Sequence, residues 1–316
     1  MNKREALLRY LEVGQVGEYV PAAFFLHFGD DYRSGSAAIK RHQEFFTFTD
    51  MDFVKIQFEL GFPRVEVSTS ADFEQIPGLP LESYEPQLEV VKGLVEALKA
   101  EALVVLTLYS PFMIAGQMVG EQTVIDHLAL SPEQVFKGLE IITDSLLAFV
   151  RECARIGIDG FYHSTQGGEA HRFKDPETFL KWVKPTDHRL MNEINEVCPF
   201  NILHICDYHQ GYGGYADLNP FLDYPGTVVN VSTEIGDKSV APAELSRLFG
   251  RSYMGGMDRK GLLATGSEEE VRAEARRVLT HAPPKFILGA DCTVPGDTPW
   301  GNLRAAIDEA HRGRAN

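Results

Sequence analysis

Basic residues are scarce in this chain: 30 lysines and arginines stand against 45 aspartates and glutamates, a formal net charge of −15. A nucleic-acid partner needs a basic face, so the balance argues against that class. A polyanionic substrate would need a local basic pocket to overcome it. Cysteine is also sparse, four residues spread over 316, which is no disulfide framework and fits a reducing cytoplasm. No apolar run approaches the roughly eighteen residues of a membrane span. The opening residues, Met1 to Ala6, lead into an amphipathic helix rather than the apolar centre of a signal peptide. Neither a stretch of disordered composition nor an internal repeat divides the chain, which predicts one domain over residues 1–316.

What the chain does contain is a rhythm. Apolar runs at 21–28, 53–58, 102–109, 160–165, 200–206, 227–233, 252–257 and 285–291 read as strands. Helical periodicity covers 3–12, 36–46, 84–100, 132–156, 175–196, 242–249, 268–281 and 300–312. The first of these helices reads as a lid, and 110–130 reads as a loop. Strands that are apolar throughout, separated by helices, belong to a parallel sheet covered on both faces. Eight of them in about 300 residues predict an α/β fold closed as a (β/α)8 TIM barrel. Polar residues collect just after the strands: His27, Glu59, His163, Gln166, His204, Cys206, Glu234, Asp258, Asp291 and Cys292. Barrel enzymes keep their chemistry at that end.

Four of these residues form a donor set. His204 and Cys206 are two apart on one strand and therefore share a face. Cys292 and Glu234 each end another strand. One imidazole nitrogen, two sulfurs and a carboxylate suit Zn²⁺, whereas calcium or magnesium would want oxygens. Glu234 is expected to hold the exchangeable position, because carboxylate oxygen leaves zinc more readily than thiolate. Glu59 is the candidate acid–base carboxylate. His27, His163, Gln166, Asp258 and Asp291, with Tyr208 and His209 in the glycine- and tyrosine-rich loop after Cys206, are expected around a small-molecule substrate. Cys153 and Cys198 fall in or beside helices and read as structural.

The closing third carries a resemblance. Met254-Gly255-Gly256-Met257-Asp258-Arg259-Lys260-Gly261, then Gly266-Ser267-Glu268-Glu269-Glu270, and Gly289-Ala290-Asp291-Cys292-Thr293-Val294-Pro295 with Asn302 are similar to the last strands of the uroporphyrinogen decarboxylase superfamily. Its decarboxylases have an Arg-Gln-Ala-Gly-Arg motif that binds substrate carboxylates; the matching stretch here, His27-Phe28-Gly29-Asp30-Asp31, has neither arginine. Their catalytic aspartate falls near Glu59, and their last exit loop has a histidine where this chain reads Ala290-Asp291-Cys292.

The superfamily's other branch, the cobalamin-dependent thiol methyltransferases, is marked by His-x-Cys and a distant Cys, matched by His204-Ile205-Cys206 and Cys292. The resemblance therefore implies methyl transfer between a corrinoid such as methylcobalamin, carried on a partner protein, and a zinc-activated thiol. The competing expectation is a metal-free, decarboxylase-like lyase with Glu59 as its key carboxylate. A third is a non-catalytic corrinoid- or metal-binding module. Decarboxylases of the superfamily often form homodimers, and the resemblance extends that expectation here.

Overall fold

The computed structural model describes residues 2–14, 19–207 and 210–312. Strands β1 (Phe53–Ile56), β2 (Leu103–Tyr109), β3 (Gly160–Thr165), β4 (Ile202–Ile205) and β5 (Val228–Val231) follow one another around the sheet. A two-stranded hairpin of β6 (Glu234–Ile235) and β7 (Lys238–Ser239) stands apart, and β8 (Ser252–Met257) and β9 (Ile287–Ala290) continue the sheet. All pairs in the seven-stranded sheet are parallel.

The eighth stave is the segment 21–26. It bonds β9 through Ala23 N to Leu288 O (3.0 Å) and Leu288 N to Pro21 O (2.8 Å), and meets the other edge through Asp52 N to Ala22 O (3.0 Å). It closes the curled sheet into a barrel without being a regular strand, for two local reasons. Pro21 has no N–H to give. At the end of β1, the Gln57 backbone N–H goes to Nε2 of His42 (3.2 Å), and the Gln57 side chain bonds Leu26 O instead (2.7 Å).

The helices lie outside, between the strands they connect, near their predicted places. The segment 110–130 is the exception. It is not a loop but two helices, Pro111–Val119 and Glu121–Leu130, divided at Gly120, whose φ is 98°. Ser110 caps the first by accepting from Met113 N (3.3 Å), with Pro111 at the first helical position. The amino-terminal helix Lys3–Val13 does cover the barrel, but at the end opposite the predicted site. Its Arg4 grips Asp159 just before β3 (2.6 and 2.7 Å), and its Lys3 grips Asp50 just before β1 (2.6 Å). Among the described residues no helix is long and apolar enough to cross a membrane.

Inside the barrel an aromatic layer supports the mouth: Phe53 packs edge-on against Phe25 (5.6 Å) and Phe200 (5.3 Å), and Phe25 against Tyr162 (5.8 Å). Outside it, one carboxyl group is buried behind β3. Asp187 accepts hydrogen bonds from the hydroxyls of Thr165 and Tyr224, and burial pushes it up to about 7. Unfolded, it would release its proton near the ordinary value of 3.8. Fold stability from this group is therefore complete at acid pH and is lost as pH rises from the unfolded value through the folded one. Asp187→Asn should remove that loss. In urea titrations the variant should gain on the order of 1–3 kcal/mol over the native chain at about pH 8 and little at about pH 4. A gain of the same size at both pH values would contradict the assignment.

Candidate metal centre

Strand parity builds the site. In the register of the sheet, Ser164 of β3 lies beside His204 of β4, His204 beside Asn230 of β5, and Asn230 beside Met254 of β8, a single inward layer. Two residues beyond His204, where β4 has ended, comes Cys206, whose N–H bonds Thr165 O (3.0 Å) and whose carbonyl accepts from the Tyr215 hydroxyl (2.8 Å). Cys292 follows β9. Asn230, fully buried, holds this end of the barrel together: its side-chain amide donates to Met254 O (2.9 Å) and Ala290 O (3.0 Å) while accepting from the Tyr162 hydroxyl. Arg259, buried at the exit of β8, bridges Asp207 (3.0 Å) and Asp291, and its backbone N–H also bonds Asp291 (2.7 Å). That clamp fixes the residue immediately before Cys292.

The result is a buried cluster of three donors. The ligand atoms of His204, Cys206 and Cys292 all lie within 4.8 Å of one another, and Nε2 of His204 is 3.3 Å from the Cys292 sulfur. Tetrahedral zinc with ordinary bond lengths would set its nitrogen and sulfur ligands roughly 3.5–3.8 Å apart, so the residues fit such an ion with small adjustments. The chemistry of the set agrees. Without a cation, the Cys292 thiol is held well above its ordinary pKa by its hydrogen bond with Cys206 and by burial. A thiol so placed stays protonated, and a bound cation is what would release its proton. The His204 ring stacks on Tyr162 at 4.8 Å.

Beside the cluster lies a cavity of about 250 Å³, lined by His27, Lys55, Thr107, Tyr109, Met113, Gln117, Tyr162, Ser164, Gln166, Thr293 and the three donors. Gln166 donates toward the Cys206 sulfur (3.5 Å). Lys55 is 4% exposed, hydrogen-bonds Gln57 Oε1 (3.0 Å), and lies over the rings of Tyr162 (4.7 Å) and Phe25 (4.8 Å). Burial pushes it down to about 7, against the pull of Cys292, Glu59 and Cys206.

Several predicted site residues lie elsewhere. Glu234 does not join the donors. β5 stops at Val231, Ser232 Oγ accepts from Glu234 N (3.1 Å), and the chain turns into the β6–β7 hairpin with Glu234 exposed. His163 does not line the cavity. It alternates with Tyr162 and Ser164, so it faces the outer side of β3, where it is fully buried, has no hydrogen-bond partner on either nitrogen among the described residues, and is pushed down to about 3 by burial and by His204. Asp258 is exposed and caps its own turn by accepting from Lys260 N (2.8 Å). Asp291 is committed to Arg259. Glu59 pairs with His27 (2.7 Å) and is not part of the cavity wall, whereas His27 and Gln166 are. Tyr208 and His209 lie outside the described residues.

The sequence reading passed over Lys55, although a lone cation in the apolar run Phe53-Val54-Lys55-Ile56 was a signal for it. It also passed over Met113 and Gln117, which share a face of the helix read as a loop.

The uroporphyrinogen decarboxylase (URO-D) family model matches residues 51–313. The methylated-thiol–coenzyme M methyltransferase of Methanosarcina mazei is 26% identical over 203 residues, which are 63% of this chain and 50% of that protein. The chain thus spans about half the length of that relative. Among solved structures, a methyltransferase from Methanosarcina mazei superposes with a TM-score of 0.76 at 14% identity over 99% of each chain. A B12-independent methionine synthase from Shewanella sp. W3-18-1 superposes with a TM-score of 0.56 at 13% identity, over 92% of this chain and 97% of that one. At these identities both likenesses concern the fold alone.

Proposed function

The chain belongs to the uroporphyrinogen decarboxylase family, and from that premise we propose that it is a zinc-dependent methyltransferase moving a methyl group between a corrinoid and a small thiol acceptor. The observation that carries this reading is the buried His204–Cys206–Cys292 cluster, open on one side to a small cavity. Three protein donors with a fourth position free are the pattern of a catalytic zinc rather than a structural one. The displacement of Glu234 from the set therefore favours catalysis, because a substrate sulfur can take the fourth place without first removing a ligand. When bound, zinc would supply the charge that turns a substrate thiol into a thiolate at neutral pH.

The chain's own residues would do the rest. The aromatic wall of Tyr162 and Tyr109 excludes water around the sulfur, Gln166 steadies the Cys206 sulfur, and Met113 and Gln117 confine the acceptor from above. The cavity is smaller than the roughly 300–1,000 Å³ that enclose a drug-sized ligand. It admits a small acceptor but not a corrinoid, so the donor would stay at the mouth, carried by a partner protein. The same size weighs against a decarboxylase acting on a tetrapyrrole, as does a wall containing Lys55 but no arginine. Glu59, paired with His27 outside the wall, is badly placed as its key carboxylate.

The test is metal analysis of the purified protein combined with loss of the methylcobalamin absorption when thiols are added. One equivalent of zinc together with thiol-dependent demethylation supports the reading, whereas a zinc-free protein active in decarboxylation overturns it. A sharper result concerns the missing ligand. Glu234→Ala should keep its full zinc content and methyl transfer within about twofold of the native chain, as expected for an exposed position. Zinc loss in that variant would return Glu234 to the ligand set.

A further inference from the structure

We propose that Arg172 is a positioning residue of this site: through three separate elements it holds Cys206 and two walls of the cavity in register, a role that rests on the reading of Cys206 as a donor. The need for such a residue follows from where β4 stops. Cys206 lies one residue past the strand, so the sheet holds only its N–H, bonded to Thr165 O (3.0 Å), and loops supply the rest of its setting. The Gln166 amide donates toward its sulfur (3.5 Å), and the Tyr215 hydroxyl donates to its carbonyl (2.8 Å). Segments without a ladder of backbone bonds keep one placement only where side chains tie them down.

Arg172, 2% exposed, is where those segments are tied. Its Nε and Nη2 bond the two oxygens of Glu169 (3.1 and 2.5 Å), a carboxylate that is itself 5% exposed and accepts the N–H of Gly167 (2.8 Å), the residue after Gln166. The Tyr212 ring lies 3.8 Å from the guanidinium, and the bonds from His171 N to Tyr212 O (3.0 Å) and from Ala170 N to Gly214 O (2.8 Å) seal the same segment, which leads to Tyr215. Nη1 bonds Glu121, and the Phe112 ring is 5.8 Å away; these residues flank Met113 and Gln117 of the cavity wall. Burying three charged groups need not stabilise a fold more than an apolar cluster of the same volume. What this arrangement supplies is direction, because a planar fork bonded along its edges and stacked on a ring leaves its partners one relative placement. Arg172 thus serves Cys206 as Arg259 serves the residue before Cys292.

Alkylation of the metal-free protein with iodoacetamide, resolved by peptide mass, tests the assignment as the labelling rate of Cys206 against that of Cys198, a buried cysteine at the opposite end of the barrel. Arg172→Met combined with Glu169→Gln removes the node without leaving Glu169 as a buried unpaired charge. It should raise Cys206 labelling roughly ten- to a hundredfold and leave Cys198 within about twofold, the signature of a local opening. Tyr212→Leu cuts one arm, keeps every charge in place, and should raise Cys206 labelling severalfold. Arg4→Met is the control: Arg4 holds Asp159 (2.6 and 2.7 Å) beside Ile158, whose carbonyl faces the Cys198 sulfur (3.9 Å), so this variant should raise Cys198 and spare Cys206. The same proteins loaded with Co²⁺ give a second readout. The visible bands of thiolate-bound cobalt report ligand geometry, and the Arg172 and Tyr212 variants should shift them while Arg4→Met leaves them in place.

Equal rises at Cys206 and Cys198, no rise at Cys206, or a Cys206 rise in Arg4→Met as large as in the Arg172 variant overturns the proposal. Should the double variant fail to accumulate folded, Tyr212→Leu carries the decision alone. The two readings fail separately. Uptake of cobalt and zinc by a chain whose variants leave Cys206 labelling unmoved removes the Arg172 assignment and keeps the metal centre; selective Cys206 labelling in the variants of a protein that takes up neither ion supports Arg172 and removes the metal centre.

Discussion

Cys206→Ala should lose its metal and with it methyl transfer, the largest single functional effect expected in this chain. Structural zinc sites contribute about 10–16 kcal/mol of binding. Removing one donor of three should cost roughly 3–4 kcal/mol, a hundred- to a thousandfold in zinc affinity. At ordinary zinc concentrations the purified variant should contain a small fraction of an equivalent. Thiol-dependent demethylation of methylcobalamin should fall below about 1% of the native rate, since the general contribution of an activated nucleophile goes with the ion. Cys292→Ala should behave in the same way, because its sulfur stands 3.3 Å from His204 Nε2 in the same cluster.

The informative control is Cys198→Ala. Cys198 is also buried, but its sulfur lies 3.9 Å from Ile158 O, away from the donors, and burial pushes it up to about 12. That variant should lose stability and keep zinc. Normal zinc content in Cys206→Ala, or loss of zinc in Cys198→Ala with its fold intact by circular dichroism, would dissolve the site.

Gly160→Ala should be the most damaging substitution for the fold. Gly160 opens β3, and a Cβ built there would stand 1.6 Å from the backbone oxygen of Phe200 and 2.5 Å from its carbonyl carbon. No rotamer relieves a clash of Cβ with backbone, so β3 and β4 would have to separate where they first pair. The displaced strand carries His204 and leads to Cys206, so the site would move with it. A cost above about 4 kcal/mol is expected, the range reserved for overpacking that the core cannot absorb. Thermal denaturation should show a midpoint lowered by about 8–16 °C, or the chain should fail to accumulate folded. Gly61→Ala is the paired control: nothing lies within 4 Å of a Cβ there, and its effect should stay within about 0.5 kcal/mol. Equal effects of the two substitutions would mean that β3 and β4 do not approach as closely as described.

Signals that are local in the chain were the ones legible in advance. The helix at 268–280 starts at Ser267, which accepts from Glu270 N while Glu270 returns a bond to Ser267, so four consecutive residues announce it. Pro132 at the first helical position, followed by Glu133, announces the helix at 132–156 without a side-chain cap. The segment 110–130 went unread because Gly116 and Gly120 interrupt its period, although Ser110-Pro111 carried a start signal. The stave at 21–26 was legible as apolar, but not that its partners are partly side chains, since His42 and Gln57 come from other elements.

The site divides along the same line. His204 and Cys206 could be paired from sequence because two residues on one strand must share a face, whatever the strand does. The same rule could not place His163, because β3 is buried on both sides and its composition does not reveal which residues face inward. Glu234 was misplaced by three residues: the apolar run continues to the eye, but the strand ends at Val231, and only the turn around Ser232 sends the carboxylate to the surface.

From its sequence alone this chain determined a parallel barrel and the kinds of donor at its mouth, because strand periodicity and residue chemistry are properties of short stretches. Only the tertiary structure decided that three of the four donors meet, that Glu234 turns away from them, and that a lysine shares their cavity. Those facts depend on register between strands and on where each strand stops. Both are set by contacts between residues far apart in the chain, such as Asn230 with Ala290 and Arg259 with Asp291.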